Sequence, residues 1–128
     1  MDFNLTDEQQ MLRDGARRFF REHYGFEQRR ALLASESGFS AECWARYAEL
    51  GWLALGQPEE SGGWACSFVE TAILLEEFGR ALALEPYLSS AVLCGYILGR
   101  CSDARAGGAA LPEMMKGRTR LALAHEEP

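Results

Sequence analysis

Residues 67–100, SFVETAILLEEFGRALALEPYLSSAVLCGYILGR, decide the fold class. Ser67 and Glu70 have the spacing of a capping box, which predicts that a helix begins there. Pro86 separates this helix from a second segment, which is almost uncharged up to Arg100 and must therefore be covered on most sides. The first helix carries an apolar stripe at helical spacing: Phe68, Ala72, Leu75, Gly79 and Leu82. Two consecutive helices of this kind predict an all-α protein.

The residues before this stretch predict three further helices. The first begins after Thr6, which opens another capping box, and is amphipathic to about Tyr24. The segment FEQRRALLA, residues 26–34, fits a short second helix. Ser40 can cap a third helix, and Gly51 offers it a left-handed stop.

Turn residues are concentrated in QPEESGG, residues 57–63. Pro58 forces the preceding residue to be extended, and Gly62 and Gly63 allow positive φ angles and the close approach of another backbone. We interpret this segment as a shaped structural loop, in preference to a flexible linker or a direct substrate contact.

The C-terminal quarter predicts weaker elements. Small residues at 103–110 suggest a further helix, and Pro112 suits the first turn of a short helix closed by Gly117. Only Leu121–Ala124 shows the alternation of a strand, although a strand needs a partner. The prediction is five or six packed helices followed by one orphan strand.

Composition excludes several classes of function. The chain has 128 residues, 48% of them hydrophobic, which is enough for one domain with its own core. Its formal net charge of -6 provides no basic field for nucleic acid. No signal peptide or membrane span is recognisable, so we expect a cytoplasmic protein with reduced cysteines. The four Cys form no CxxC pair and no zinc pattern, and we interpret Cys66, Cys94 and Cys101 as small core residues.

Complete catalytic motifs are missing from the sequence. There is no G-x-G-x-x-G motif and no P-loop, and neither His lies near a nucleophile elbow. Carboxylate pairs occur at Glu59-Glu60, Glu76-Glu77 and Glu126-Glu127, and a carboxylate base could take a proton beside a carbonyl. However, adjacent helical residues point about 100° apart, and Glu76 lies four residues before Arg80, as in a surface ion pair. We therefore expect no catalytic residue in this chain.

Four segments together resemble the N-terminal helical domain of the acyl-CoA dehydrogenase family. In chain order they are MDFNLTDEQQMLRD, AELGWLALGQPEESGG, ETAILLEEFGRALALEPYL and LALAHEEP. The resemblance covers essentially the whole chain. FEQRRALLAS and the ending EEP are most similar to the small-subunit type of pimeloyl-CoA dehydrogenase.

This resemblance implies a three-part flavoenzyme. Its parts are an all-helical domain, a β-barrel domain that holds FAD, and a C-terminal four-helix domain that supplies the catalytic Glu. The chain then divides into an orthogonal or up-down helical bundle, residues 1–118, and the start of the barrel, residues 119–128, with its first strand. We expect a piece of a longer protein, inactive alone. The implied reaction is α,β-dehydrogenation of an acyl-CoA to a trans-2-enoyl-CoA, with an electron-transfer flavoprotein or a similar acceptor as partner.

The resemblance places one wall of the acyl slot at the start of the apolar helix. Leu84, Leu88 and Val92 lie there at i, i+4 and i+8, so one face could line the acyl chain of an acyl-CoA substrate. Core packing needs the same spacing, and the residues alone leave core and pocket open. The resemblance favours the pocket, and these three are the predicted substrate-binding residues.

The resemblance also implies that the strand opening the barrel lies against FAD. In the family a Thr hydroxyl contacts the flavin just before a Glu-Pro pair, matched here by Glu127-Pro128. The flavin-facing positions are then Leu123, His125 and Glu126, the last of which stands in place of the Thr. A carboxylate repels electron density on a reduced flavin instead of donating a hydrogen bond to it. This departure puts flavin binding by this subunit in doubt and fits a flavin-poor partner in a heteromeric dehydrogenase.

A non-enzymatic class stays open, namely a free-standing helical module for dimerisation or interaction. A gene that continues past codon 128 into a barrel and a Glu-bearing helical domain would favour the enzyme. A helical transcription regulator would need a basic recognition helix, and none is found. In either open class we expect a homo- or hetero-oligomer, and the isolated piece should expose apolar surface and self-associate.

Overall fold

The computed structural model describes residues 4–101 and 108–125, and within these ranges the chain is all-α with no strand. The helices are α1 (Asp7–His23), α2 (Phe26–Leu33), α3 (Ala41–Glu49), α4 (Phe68–Ala81), a π-helix (Tyr87–Cys94) that runs directly into α5 (Gly95–Arg100), and α6 (Ala110–Met115). Two 3₁₀ turns lie at Trp52–Ala54 and Glu59–Ser61. The predicted all-α class is confirmed. Residues 103–107 of the helix predicted over 103–110 lie outside the described residues.

The predicted helix ends follow local chemistry. The Thr6 backbone N–H donates to Gln9 Oε1 at 3.0 Å, and the Gln9 N–H donates to Thr6 Oγ1 at 3.2 Å, which completes the capping box of α1. Ser40 Oγ caps α3 by accepting from the Cys43 N–H at 3.1 Å. Gly51 follows α3 with a φ of 76°, a conformation that favours glycine. These predicted boundaries are confirmed.

The core is a cluster of aromatic rings where α1, α3, α4 and the π-helix meet. Tyr47 stacks on Trp52 with ring centroids 5.3 Å apart, and Phe78 stacks on Tyr87 at 4.5 Å. Phe20 of α1 meets Phe78 of α4 edge to face at 5.0 Å. Such pairs stabilise a core by roughly 0.5–1.5 kcal/mol each beyond the area they bury. The cluster therefore fixes how α1 and α4 pack.

The apolar stripe predicted on α4 is not the buried face of that helix. The buried side chains are instead Thr71, Ile73, Leu74, Glu77 and Phe78. Phe78 of α4 packs against Phe20 of α1, and Arg17 Nε of α1 lies 2.9 Å from Glu77 Oε1, which satisfies the one carboxylate on that face. The stripe faces outward at its ends, where Phe68 and Leu82 are exposed.

The segment after Pro86 was predicted to be covered on most sides, and this is wrong within the described residues. Its inner face, which includes Tyr87 and Cys94, is buried, but Leu88, Leu93, Tyr96 and Ile97 are exposed.

The cysteines predicted to be core residues differ in their exposure. Cys94 is buried and Cys66 is half-buried, and burial raises the pKa of both thiols. Cys101 is exposed and is not a core residue.

The loop of residues 57–66 is held in shape by backbone hydrogen bonds, as predicted. The Ala65 N–H donates to the Gln57 carbonyl at 2.8 Å, and Gly62 has a φ of 86°. A Cβ on Gly63 would lie 2.2 Å from the Gln57 carbonyl oxygen, so only glycine fits there. The exposed Trp64 closes the loop by laying its ring over Gly51, where a Cβ would meet the ring at 2.3 Å.

The C-terminal elements are partly as predicted. Pro112 lies in the first turn of α6, and Gly117, with a φ of 73°, follows that helix. Residues 121–124 form no strand in the described part of the chain, because a strand needs a ladder partner. The Leu121 N–H instead donates to Ser90 Oγ at 2.9 Å. In the described ranges, no helix is both long and apolar enough to cross a membrane.

Candidate functional site

The π-helix is the least regular element of the structure and the centre of the candidate site. After Pro86 the chain winds with wide turns, in which the Gly95 N–H reaches back to the Ser90 carbonyl. Bonds of this i to i−5 type are rare and are frequently found at functional sites. The winding turns Tyr87, Ser90 and Ala91 into the core and leaves Leu88 52% exposed.

The predicted substrate-binding residues border two neighbouring depressions. Leu84, which precedes the π-helix, and Leu88 border an open groove against α4, with Leu75 and Leu82 on the opposite side. Val92 lies half-buried in a separate cavity. The i, i+4, i+8 spacing would align all three on a regular α-helix. Leu84 lies outside the helix and the π turns are wider, so the structure brings Leu84 and Leu88 together and places Val92 next to them.

The cavity beside Val92 has a volume of about 70 Å³ and a mixed lining. Trp52 and Tyr87 supply apolar walls, and Gln57 and Thr71 supply polar groups. The buried Gln57 side chain donates from Nε2 to the Ala91 carbonyl at 2.9 Å, while its Oε1 has no partner. The cavity has room for about two water-sized groups and is too small for a flavin ring.

A buried carboxylate anchors the chain just before the π-helix. Glu85 is 5% exposed and accepts from the Ser40 N–H at 2.9 Å, from the Tyr47 hydroxyl at 3.0 Å, and from the Tyr24 hydroxyl at 3.5 Å. The Tyr24 hydroxyl also accepts from the Leu84 N–H at 2.7 Å. These bonds join α1 and α3 to the start of the candidate wall.

The tyrosines of this cluster have perturbed acidities. Burial raises the pKa of Tyr24 to about 12, and the neighbouring Glu85 carboxylate adds to the rise. Burial and the same carboxylate also raise the pKa of Tyr47. Both phenols therefore stay neutral at ordinary pH and act as hydrogen-bond donors to Glu85.

Sequence reasoning missed Glu85, Gln57 and Ser90. One signal could have revealed Glu85, which is the only charged residue between Arg80 and Arg100. A lone charge in an apolar segment is buried only when it is hydrogen-bonded or paired. The other two carry no such signal, because their roles depend on which backbone groups the fold places beside them.

The predicted flavin-facing residues lie on the segment after α6. Leu123 and His125 are exposed there, and Glu126 lies outside the described residues. The exposed residues 122–125 could form one side of a flavin site, whereas the cavity beside Val92, at about 70 Å³, is too small to enclose the ring system. The described part of the chain also contains no cluster of His, Cys, Asp or Glu suited to a metal ion. These residues therefore fit FAD only as one edge of its site.

The fold and this site define the chain as an all-helical domain with an open apolar wall beside an exposed C-terminal segment. Residues 6–118 match the family described as "Acyl-CoA dehydrogenase, N-terminal domain". The chain therefore belongs to the acyl-CoA dehydrogenase N-terminal domain family, and the resemblance seen in the sequence is confirmed.

Curated relatives include dehydrogenases and a reductase. The chain is 33% identical over 112 residues to the acyl-CoA dehydrogenase IpdE2 of Mycobacterium tuberculosis, covering 87% of the chain and 34% of the relative. It is 32% identical over 129 residues to the acryloyl-CoA reductase (NADH) of Anaerotignum propionicum, covering 100% of the chain and 32% of the relative. The chain thus spans about a third of the length of these relatives.

Solved structures show the same helical arrangement. The ChsE4-ChsE5 complex from Mycobacterium tuberculosis superimposes with a TM-score of 0.86 at 28% identity, covering 95% of this chain and 34% of the other. The G363A variant of the steroid ACAD Tcur3481-Tcur3483 gives a TM-score of 0.82 at 29% identity, covering 91% of this chain and 32% of the other.

Proposed function

We propose that the chain is the N-terminal domain of a flavin-dependent acyl-CoA dehydrogenase and forms one wall of its acyl slot. The reaction is the α,β-dehydrogenation of an acyl-CoA thioester to a trans-2-enoyl-CoA. The match of residues 6–118 to the family carries this proposal. The exposed Leu88 and the half-buried Leu84 and Val92 support it, because each leaves apolar surface that an acyl chain could contact.

The residues of this domain would bind and orient the acyl group and exclude water from it. Leu84 and Leu88 would contact the chain along the open groove. Val92 and the buried Gln57 would meet a group that enters the cavity, and Gln57 Oε1 has no hydrogen-bond partner within the described residues. Displacing water from these surfaces favours binding by about 25 cal/mol per Å² of apolar area removed from water.

The flavin, when bound, would accept a hydride from the substrate. The backbone near Leu123 and the side chain of His125 would lie along one edge of it, and Glu126 would stand where the family places a Thr. The barrel and the C-terminal helical domain would hold the rest of the cofactor and supply the catalytic base, and an electron-transfer flavoprotein or a similar protein would accept the electrons.

The buried carboxylates described in this chain are poor candidates for that base. Glu77 is paired with Arg17 at 2.9 Å, and Glu85 accepts hydrogen bonds from Ser40 and two tyrosines. A general base must reach the proton that it removes, and both groups are directed into the helical core. This supports the assignment of the catalytic Glu to another domain, which the family resemblance implies.

The proposal is tested on the longer natural protein, purified alone and together with the product of any adjacent dehydrogenase gene. We expect flavin absorbance and formation of enoyl-CoA with an artificial electron acceptor. A panel of straight-chain, branched, dicarboxylic and steroid side-chain acyl-CoAs would define the substrate class. A protein that binds no acyl-CoA and no flavin in either preparation would refute the proposal and favour a non-catalytic interaction module.

A second candidate is a flavin-poor partner subunit in a heteromeric dehydrogenase. Two points favour it: Glu126 stands where the family resemblance implies a Thr, and the similar structures include the ChsE4-ChsE5 complex and Tcur3481-Tcur3483. In this case the protein purified alone would lack flavin, and flavin and activity would appear only with the partner. Stoichiometric FAD in the lone protein would exclude this candidate.

A further inference from the structure

A partly buried hydrogen bond joins the π-helix to the C-terminal segment. Ser90 is 0% exposed on the inner side of the π-helix, and its Oγ accepts from the Leu121 N–H at 2.9 Å. Leu121 is half-buried and packs against the core. Before it, the Thr119 N–H donates to the Glu113 carbonyl of α6 at 3.3 Å. The chain is therefore hydrogen-bonded first to α6 and then to the π-helix, just before Leu123 and His125.

We propose that Ser90 is a positioning residue that sets the distance between the acyl wall and the flavin-facing segment. This inference rests on the proposed function. Leu88 and Val92, on either side of Ser90 in sequence, belong to the predicted wall, and Leu123 and His125 follow Leu121. The Ser90 hydroxyl thereby ties the wall to the segment that follows Leu121. In reactions between two bound partners, an error of about 1 Å in their separation can cost about a hundredfold in rate.

The π winding explains why a serine can make this contact. The wider π turns change the direction in which successive side chains leave the helix. Here the short Ser90 side chain lies on the buried face, where its hydroxyl meets a backbone N–H from another segment. A partly buried N–H left without an acceptor at this point would be unfavourable, which favours keeping the contact closed. The neighbouring Ser89 is exposed and donates only to the Pro86 carbonyl, at 3.4 Å, so it provides a matched control.

The first test measures hydrogen exchange of the Leu121 amide by NMR in the 128-residue chain. We expect Ser90→Ala to speed this exchange by at least about tenfold, because the loss of an acceptor leaves the amide unprotected. Ser89→Ala should leave it unchanged. Core amides in α1 and α4 serve as the internal check that each variant is folded. Unchanged protection of Leu121 in a folded Ser90→Ala variant would overturn the proposal.

The second test uses the longer flavin-loaded enzyme. Ser90→Ala should lower kcat by roughly tenfold to a hundredfold with little change in KM, and should alter the change in flavin absorbance on binding of an enoyl-CoA product. Ser89→Ala should alter neither. If Leu121 exchange accelerates but kcat and the flavin spectrum stay unchanged, the contact is structural and the positioning role is refuted. Absence of flavin and dehydrogenase activity in the unmodified protein would instead refute the proposed function, while the exchange result would stand.

Discussion

Removal of the Glu85 carboxylate is the sharpest test of how the candidate wall is anchored. Glu85→Ala would leave two short hydrogen bonds without an acceptor, those from the Ser40 N–H at 2.9 Å and the Tyr47 hydroxyl at 3.0 Å, and would also remove the longer bond from Tyr24 at 3.5 Å. A buried donor left without a partner costs about 1–3 kcal/mol. Two such donors, offset by the relief of a buried charge, give an expected loss of about 3 kcal/mol.

Glu85→Gln separates the hydrogen bonds from the charge. The amide keeps the shape of the side chain and one acceptor oxygen, but it replaces the second oxygen with a donor that faces another donor. We expect a smaller loss, of about 1–2 kcal/mol, because hydrogen bonds to a charged acceptor are stronger than those to an amide. The matched control is Glu76→Ala, since Glu76 lies on the exposed side of α4 in a surface ion pair with Arg80 and should leave stability unchanged.

The assay is urea unfolding followed by circular dichroism and tryptophan fluorescence, with the free energy of unfolding taken from coincident transitions. The order of stability should be wild type and Glu76→Ala, then Glu85→Gln, then Glu85→Ala. A loss below about 1 kcal/mol for Glu85→Ala would show that the cluster is not an anchor, because that is less than one unpaired buried donor should cost.

Three further predictions address other parts of the domain. Burial raises the pKa of Tyr24 from 10.0 to about 12. The neutral phenol therefore contributes fully to the free energy of unfolding below pH 10, and this contribution is lost as the pH rises through about 12. Urea midpoints measured from about pH 9 upward should fall, and a flat profile would contradict this. Gly63→Ala should destabilise the fold by about 2 kcal/mol or more, because the added Cβ would lie 2.2 Å from the Gln57 carbonyl oxygen. The control is Gly79→Ala, which has nothing within 4 Å of its Cβ and should stabilise α4 by about 0.5–1 kcal/mol. Equal thermal midpoints for the two variants would refute the contact at Gly63. Leu82 has a φ of 51°, which strains a residue other than glycine, and its side chain is 61% exposed. Leu82→Gly should therefore raise the free energy of unfolding by roughly 0.5–1 kcal/mol. A drop would show that the Leu82 side chain contributes more stability than the backbone strain costs.

The helix boundaries could be predicted because they depend on short-range chemistry. Thr6 and Gln9 satisfy each other across three residues, and Gly51 and Gly117 take left-handed conformations that other residues adopt at a cost. No distant part of the fold is needed to foresee such features. The all-α class followed from the same local signals.

The buried faces could not be predicted so well, because they depend on which neighbour each helix meets. On α4, apolar residues lie on more than one side, and the position of Arg17 on α1 decides that Glu77 turns inward. On the segment after Pro86, high hydrophobicity suggested burial on most sides, but Leu88 and Ile97 remain exposed. Periodicity reports that a helix has an apolar face and does not report what covers it.

The sequence directed attention to the segment around Pro86, which borders a groove and a cavity in the structure, but it could not predict how the three named residues are arranged there. Helical spacing treated Leu84, Leu88 and Val92 as one α-helical row, whereas the π winding divides them between a groove and a cavity. The contact between Ser90 and Leu121 joins segments far apart in sequence, and no local pattern predicts it. Whether these residues bind substrate and flavin remains a proposal for the experiments above.

The contact between Trp64 and Gly51 links the evolutionary histories of these two positions. Any side chain at position 51 would collide with the indole ring where it now lies, so a change of Gly51 requires Trp64 to move away or to be replaced by a smaller residue. Even then, the φ of 76° leaves a backbone penalty of about 1 kcal/mol for residues other than glycine. We therefore expect strong epistasis, in which the order of substitutions matters and the double replacement costs less than the sum of the two single ones.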